Sequence, residues 1–536
     1  MSSGCLNFIK NDRMLVRGSN GRPQPFQLLK ARSAIGPTSQ LVIHRYSILP
    51  HYGIYKHSFS YNGVYDQKRP ISFEGGSSSM TIARHFADFL FDVREINGPA
   101  AEQAKAAVLD LTTAALAGVN EDATVAARNA AFMIWQHGNA PIWFTKHRTS
   151  AAGAAFVNST SASSLDLDDG HRAAAGHPGA SIIPAVMATA AECKCPTNRI
   201  LPAIALGYEI AVRVAASRDF TTLTTLVSGP WVGYGAAAAA AWLRGLEPRA
   251  IEQAIAIAGS TAPNLSAVAY SKVMGNHVKE GIPWATATAL VAVELAAQGF
   301  TGPDDLLDNE RVFDRGRLLD GLGTEWAING IYFKPYGCCR WAHSAIDAVL
   351  ALKAKHGLDA TEIQAIEIET FSWALRLNNE VAPRTTESAQ YSVPFCVAMA
   401  LTKGAEALVQ ITNTDLAHSG TIALARRIHL RVDPDFDAAF PQSVPARVVI
   451  RTKNERLSKE VLAPTGEPTN PMGWATLENK FRNAAKRRLE EQHIEIFLAA
   501  FRDLRQGELG RLIETLQRPI PRLSSIDEPA LEAKSG

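Results

Sequence analysis

Three stretches of this 536-residue chain gather side chains able to move protons or hold anions. The first runs Asp166-Leu167-Asp168-Asp169-Gly170-His171-Arg172 and, after three alanines, Gly176-His177-Pro178-Gly179. It sets three carboxylates, two imidazoles and a guanidinium among small apolar residues such as Ala162, Ala180 and Ile182. Charged groups avoid apolar surroundings unless they pair or act, so this cluster is a candidate acid–base site. The plain alternative is a turn, in which an Asp side chain caps backbone amides while His171 and Arg172 lie in water. The second stretch, 271–281, carries Lys272, His277 and Lys279. Two ammoniums and an imidazole suit the clamping of carboxylates, and a lysine lowered in pKa by burial would serve as a base. Read alone, it is an ordinary polar loop before a helix. The third, 333–343, offers Lys334, Arg340 and His343 where the character of the chain changes, and clefts between domains commonly bind ligands.

The elements that must position these groups follow from periodicity. Residues 1–79 scatter aromatic and basic side chains without a helical period and lack the charged start and apolar run of a secretory signal. They are expected to be a disordered extension or a non-native start, with Met80 as the natural beginning. From Met80, Thr81 is placed to cap a helix whose apolar positions Phe86, Phe89, Leu90 and Val93 keep helical spacing. Residues 80–331 then read as an all-helical domain of Ala-rich segments: 101–117, 180–192, 201–216, 235–243, 251–257 and 284–298. The six alanines 236–241 predict a helix packed on all sides. Residues 332–470 alternate helix and strand, with helices over 344–355 and 391–401 and strands over 363–370, 428–432 and 446–452, which predicts an α+β domain. Residues 471–516 return to amphipathic helix and are expected to rejoin the helical domain, leaving 517–536 as a tail. The fold class expected is therefore mainly α with an inserted α+β lid.

Composition narrows the function classes. With 54 basic and 52 acidic residues and no basic stripe, nucleic acid is an unexpected partner. The most apolar stretch, 229–243, is too short and too rich in Gly and Ala to span a bilayer. Six cysteines without zinc-site spacing suggest neither a disulfide framework nor a metal centre, and reduced thiols in a cytoplasm fit best. Cys338 and Cys339 are read mainly as small, packable side chains.

In order and separation, several short runs together resemble the MmgE/PrpD family, whose members include 2-methylcitrate dehydratase, cis-aconitate decarboxylase and iminodisuccinate epimerase. They are Leu165-Asp166-Leu167-Asp168-Asp169 with Gly176-His177-Pro178, Gly207-Tyr208-Glu209, Gly299-Phe300-Thr301-Gly302-Pro303, Phe333-Lys334-Pro335-Tyr336 through Cys339 and His343, Ala389-Gln390-Tyr391-Ser392, and Asn470-Pro471-Met472. The resemblance covers about 80–516. It implies a helical domain built from N- and C-terminal segments, a smaller lid, a homodimer, and a cleft that works without metal or organic cofactor on small di- or tricarboxylates. It carries catalytic expectations onto His177, Lys272, Asp166 and Tyr391, and substrate-binding ones onto Lys334, with His171, His277, Arg340 and His343 beside them. In this reading His177 shuttles a proton at the carbon alpha to a carboxylate, Asp166 fixes its tautomer, Lys272 and Lys334 hold carboxylates, and Tyr391 donates to a carboxylate or leaving hydroxyl. Asp168 and Asp169 are left with turn and capping duties. The chain departs from its relatives at Gly170, at Leu226-Val227-Ser228-Gly229 and at Gly275, and His171 is an extra imidazole placed to stand in for a lost one. The expected activity is a lyase dehydrating a 2-methylcitrate-like hydroxy acid. Decarboxylation of a cis-aconitate-like acid, epimerisation of an iminodisuccinate-like acid and a catalytically silent dimeric binding protein are the alternatives.

Overall fold

The computed structural model describes residues 80–223, 226–263 and 276–520, together with the backbone of four strands in the first 79 residues. Contacts divide the chain into two units, 1–78 and 79–536. In the first, Val16–Arg17 pairs antiparallel with Pro23–Gln24, and Val42–Leu49 with Gly53–Ser60. Sequence periodicity marks no strand there.

The second unit is mainly α with a small α+β part. Thr81 caps the Ile82–Asp92 helix as its spacing predicts, its side chain accepting from the Arg84 amide. At the centre of the helical part lies Gly229–Leu243, whose alanines 236–241 are fully buried. Small side chains let its neighbours approach closely: a Cβ on Gly235 would stand 2.2 Å from the Gly207 carbonyl oxygen in the Ile200–Ala216 helix. The helix begins six residues before the alanine-rich segment read from sequence, because Pro230 occupies its first turn, where a missing amide costs nothing.

A second hydrophobic core lies under a four-stranded sheet ordered Ile428–Val432, Ile363–Thr370, Ala446–Thr452, Arg456–Val461. The first pair is parallel and the others antiparallel. Ile366, Ile368, Val448 and Ile450 point inward and are fully buried. The alternate residues pair across the outer face, Arg447 with Glu369 and Arg451 with Glu367. The C-terminal helices Trp474–Ala485, Glu491–Arg505 and Gly510–Leu516 pack into the helical core through Phe481, Phe497 and Phe501. Lys480 reaches furthest in: its Nζ meets Asp110 at 2.6 Å and donates to the Leu167 carbonyl at 2.9 Å. That bond props the acidic loop from behind.

Candidate active site

The acidic loop spans the gap between the helices Ala151–Ser163 and Gly179–Cys193. Asp166 takes a left-handed backbone (φ 54°), turning its carboxylate back toward the loop's far end. Gly170–His171 then pairs antiparallel with Ile331–Tyr332, which fastens the loop to the segment leading into Lys334. This pairing explains Gly170, for a Cβ there would meet the Tyr332 hydroxyl at 2.3 Å.

His177 is the hub. Its Nε2 faces Asp166 Oδ1 at 3.4 Å and Glu280 Oε1 at 3.7 Å, and its Nδ1 lies 2.9 Å from the Asp169 carbonyl and 3.4 Å from Asp168 Oδ2. A carbonyl and carboxylates only accept, so both ring nitrogens point at acceptors and the ring is held as imidazolium. Burial pulls its pKa down and Lys334 adds to that, but Asp168 and Glu280 outweigh both and bring it to about 9. Burial would lift Asp166, yet Lys334, His177 and Lys279 hold it well below the usual carboxylate range. Asp168, against the same burial, is lowered chiefly by His177. Lys334 Nζ stands 3.2 Å from Asp166 Oδ1, and although burial opposes its charge, Asp166 and Asp168 raise its pKa. Among the described residues, Asp166 Oδ2, Asp168 Oδ2 and Lys334 Nζ are buried without a directed hydrogen bond.

Glu280 is aimed by Ser228. The serine hydroxyl donates to Glu280 Oε2 at 2.6 Å and accepts from the His177 amide at 2.9 Å, while the Ser228 amide donates to the same Oε2 at 3.0 Å. Lys279, also left-handed (φ 46°), donates to the carbonyls of Ser163 and Ser164 and to Gln390 Oε1, and lies 5.8 Å from the Tyr391 ring centre. The cluster thus balances Asp166, Asp168 and Glu280 against His177, Lys334 and Lys279. One ligand atom each from Asp166, Asp168 and His177 lies within 4.8 Å of the others, a set able to hold a cation. Its countercharge here is the lysine ammonium.

Two cavities meet at this cluster. The inner one, about 10 Å³, touches Asp166, Asp168 and His277; the outer, about 110 Å³, touches Arg172, Tyr332 and Arg340; His177, Lys279, Glu280 and Tyr391 line both.

Several expectations change. Asp168 is part of the cluster rather than a turn residue, whereas Asp169 does cap, accepting from the Gly179 amide at 3.0 Å and the Tyr208 hydroxyl at 2.6 Å; burial lifts it to about 7. The imidazole's Nδ1 is fixed by the Asp169 carbonyl and Asp168, with Asp166 on the opposite nitrogen. Lys334 is fully buried behind Asp166, whose charge it holds, and it borders neither cavity. His171 is buried beneath Gly330, where burial lowers its pKa to about 4, and it replaces no imidazole in the cluster. His343 is fully buried between the Cys338 carbonyl and Arg340, so it positions Arg340. His277 borders the inner cavity, half-exposed and 3.5 Å from Glu387, and Arg340 borders the outer. Lys272 lies outside the described residues. Glu280 and Ser228 escaped the sequence reading of the site, although both stood in runs it singled out. Cys338, Cys339 and Cys396 are free thiols.

The MmgE/PrpD N-terminal domain matches residues 84–319, and the MmgE/PrpD C-terminal domain matches 336–506. The chain belongs to the MmgE/PrpD family. It is similar to the cis-aconitate decarboxylase-like protein oryM of Aspergillus oryzae, 28% identical over 235 residues, a match covering 39% of this chain and about half (48%) of that protein. It is also similar to the cis-aconitate decarboxylase of Aspergillus terreus, 24% identical over 405 residues, covering 68% of this chain and 81% of the relative. Family and relatives together are of lyase type. Among the described residues no helix is long and apolar enough to cross a membrane.

Proposed function

We propose that the protein is a lyase that moves a proton at the carbon alpha to a carboxylate of a small polycarboxylic acid, with His177 as the general acid. The observation that carries this is the imidazole enclosed by acceptors on both nitrogens and opening onto the outer cavity. Such a ring gives up a proton only when a stronger demand arises in front of it, such as a leaving hydroxyl or a carbanion. Glu280 is the matching base. Ser228 occupies its Oε2 and leaves Oε1 toward the cavity, 3.7 Å from His177 Nε2.

In dehydration of a 2-methylcitrate-like acid, Glu280 takes the alpha proton and the C–H electrons become the alkene. The C–O bond breaks as His177 protonates the hydroxyl, which departs as water. Acid and base stand on one wall, so both groups leave from one face. Lys279, Arg172 and Arg340 supply the positive charge for the substrate carboxylates and the developing enolate, and Tyr391 donates to one of them. No cofactor enters this reading.

Decarboxylation is the second reading, favoured by the relatives' names and by the protonated state of His177. Carbon dioxide leaves first and His177 protonates the carbanion, with no base needed. Incubation with citrate, 2-methylcitrate, cis-aconitate and iminodisuccinate in deuterated water, followed by NMR, separates the outcomes. Alkene formation marks dehydration, a product deuterated at the former carboxyl-bearing carbon marks decarboxylation, and exchange without net reaction marks epimerisation. Absence of exchange, elimination and carbon dioxide loss across the panel overturns the lyase reading.

A further inference from the structure

The two cavities that meet at His177 differ in what surrounds them. The inner one has room for about one water molecule, so the bulk of any ligand must lie in the outer one. Among the described residues, the charged side chains lining the outer cavity are Arg172, His177, Lys279, Glu280, Arg340 and Arg376. Arg172 and Arg340 each lie over the Tyr332 ring, 4.5 and 4.6 Å from its centre, and both bind Glu467. Two guanidiniums on one carboxylate leave a net positive charge beside the cavity.

An aromatic cluster also lines the cavity. Trp341, Trp373 and Phe440 pack on one another, Phe440 against Trp373 at 6.1 Å and against Trp341 at 5.8 Å, and each of the three also faces the cavity. Leu226, Leu377 and Pro441 also line the cavity. Arg376 covers the Trp373 ring at 4.1 Å, holding the indole in place. Arg376 borders this cavity too, but a ligand made only of carboxylates would still set charge against the three aromatic rings, which replace none of its lost hydration.

Resting on the lyase reading, we propose that the substrate is an amphiphilic acid. Its carboxylates lie toward Lys279, Arg172 and Arg340, its reacting carbon at His177, and an alkyl or aryl substituent, larger than a methyl group, lies on the Trp341–Trp373–Phe440 wall. The structure here narrows the substrate class beyond small polycarboxylates.

The test is calorimetric binding of 2-alkylsuccinates, methyl through hexyl, to the full-length protein. Each methylene that enters an apolar wall strengthens binding about fourfold, so affinity should climb through at least three additions and then level off. Trp373→Ala should flatten the climb to less than twofold per methylene. A wild-type series that is flat, or that falls with length, overturns the proposal whether or not the variant folds, and a slope untouched by Trp373→Ala overturns the assignment of the wall. Following the same samples by NMR in deuterated water separates this inference from the lyase reading. Proton exchange with a flat affinity series defeats the amphiphilic substrate alone, and a rising series in a protein that catalyses no exchange, elimination or carbon dioxide loss with any acid defeats the lyase reading alone.

Discussion

Two buried lysine–aspartate pairs hold the acidic loop, and they are built differently. Asp110 and Lys480 meet at 2.6 Å, and Lys480 places a further proton on the Leu167 carbonyl. Burial prevails there, raising Asp110 and lowering Lys480, with each partner only partly offsetting it. Asp166 and Lys334 meet at 3.2 Å without a directed hydrogen bond, and both are pushed toward the charged state because His177, Lys279 and Asp168 add their fields. The first pair is a short contact that borders neither cavity and serves the fold. Each pair leaves one buried carboxylate oxygen without a hydrogen bond, Asp110 Oδ2 and Asp166 Oδ2, but the second pair belongs to a charge-balanced cluster beside the cavities, the pattern expected where a reaction takes place.

The sharpest way to break this comparison is to remove the hub. His177→Ala should lower turnover by about 10²–10⁴-fold, the range of a general acid, while leaving the thermal midpoint closer to wild type than a Lys480 variant does. Unchanged turnover in steady-state assays would sink the assignment. Lys480→Met should cost about 3–5 kcal/mol in denaturant unfolding, because it strands Asp110 and the Leu167 carbonyl in the core. Adding Asp110→Leu should recover most of that loss, since apolar replacement of both partners is often neutral. A double variant as unstable as the single one would show that the pair is not the self-contained clamp described.

The pH dependence comes next in size. His177 is raised from 6.5 to about 9, so its contribution is complete below about 6.5 and is lost as pH rises through 9. The amount is on the order of 3 kcal/mol. Asp166 and Asp168 are depressed, so theirs is present above the ordinary carboxylate range and fades as pH falls below it. Urea titrations from pH 4 to 10 on wild type and His177→Ala should differ most in their alkaline limbs, and superimposable limbs would contradict the carboxylate enclosure. Ser228→Ala is the gentlest test. It frees Glu280 Oε2 and the His177 amide from one hydroxyl, so kcat should drop about tenfold, for a lost hydrogen bond to a charged group of about 1.5 kcal/mol, with KM little changed.

Legibility in the sequence followed the range of the forces involved. The strands 363–370, 428–432 and 446–452 show in the alternation of residues such as Ile366, Ile368, Val448 and Ile450, because one face is buried and the other wet. Arg456–Val461 was missed since it is an edge strand whose residues are mostly exposed and charged, which leaves no apolar period. The helix read as starting at Tyr391 starts at Val393, because the Ser392 hydroxyl accepts from the Phe395 amide and begins the turn there. His177 and Asp166 are visible as a dense polar run in an apolar setting. Glu280 becomes part of the site only when folding brings it to Ser228, and His343 leaves it only because packing closes over it; neither event has a local signature.

The short ladder between Gly170–His171 and Ile331–Tyr332 has a mechanical consequence. It rivets the loop bearing Asp166, Asp168 and His177 to the strand that delivers Lys334, so the acid and the charge that tunes it stand or fall as one opening unit. The His171 amide donates to the Gly176 carbonyl at 2.9 Å, so its exchange would clock the opening of the turn that carries His177, and a ligand that tightens the cleft should slow it.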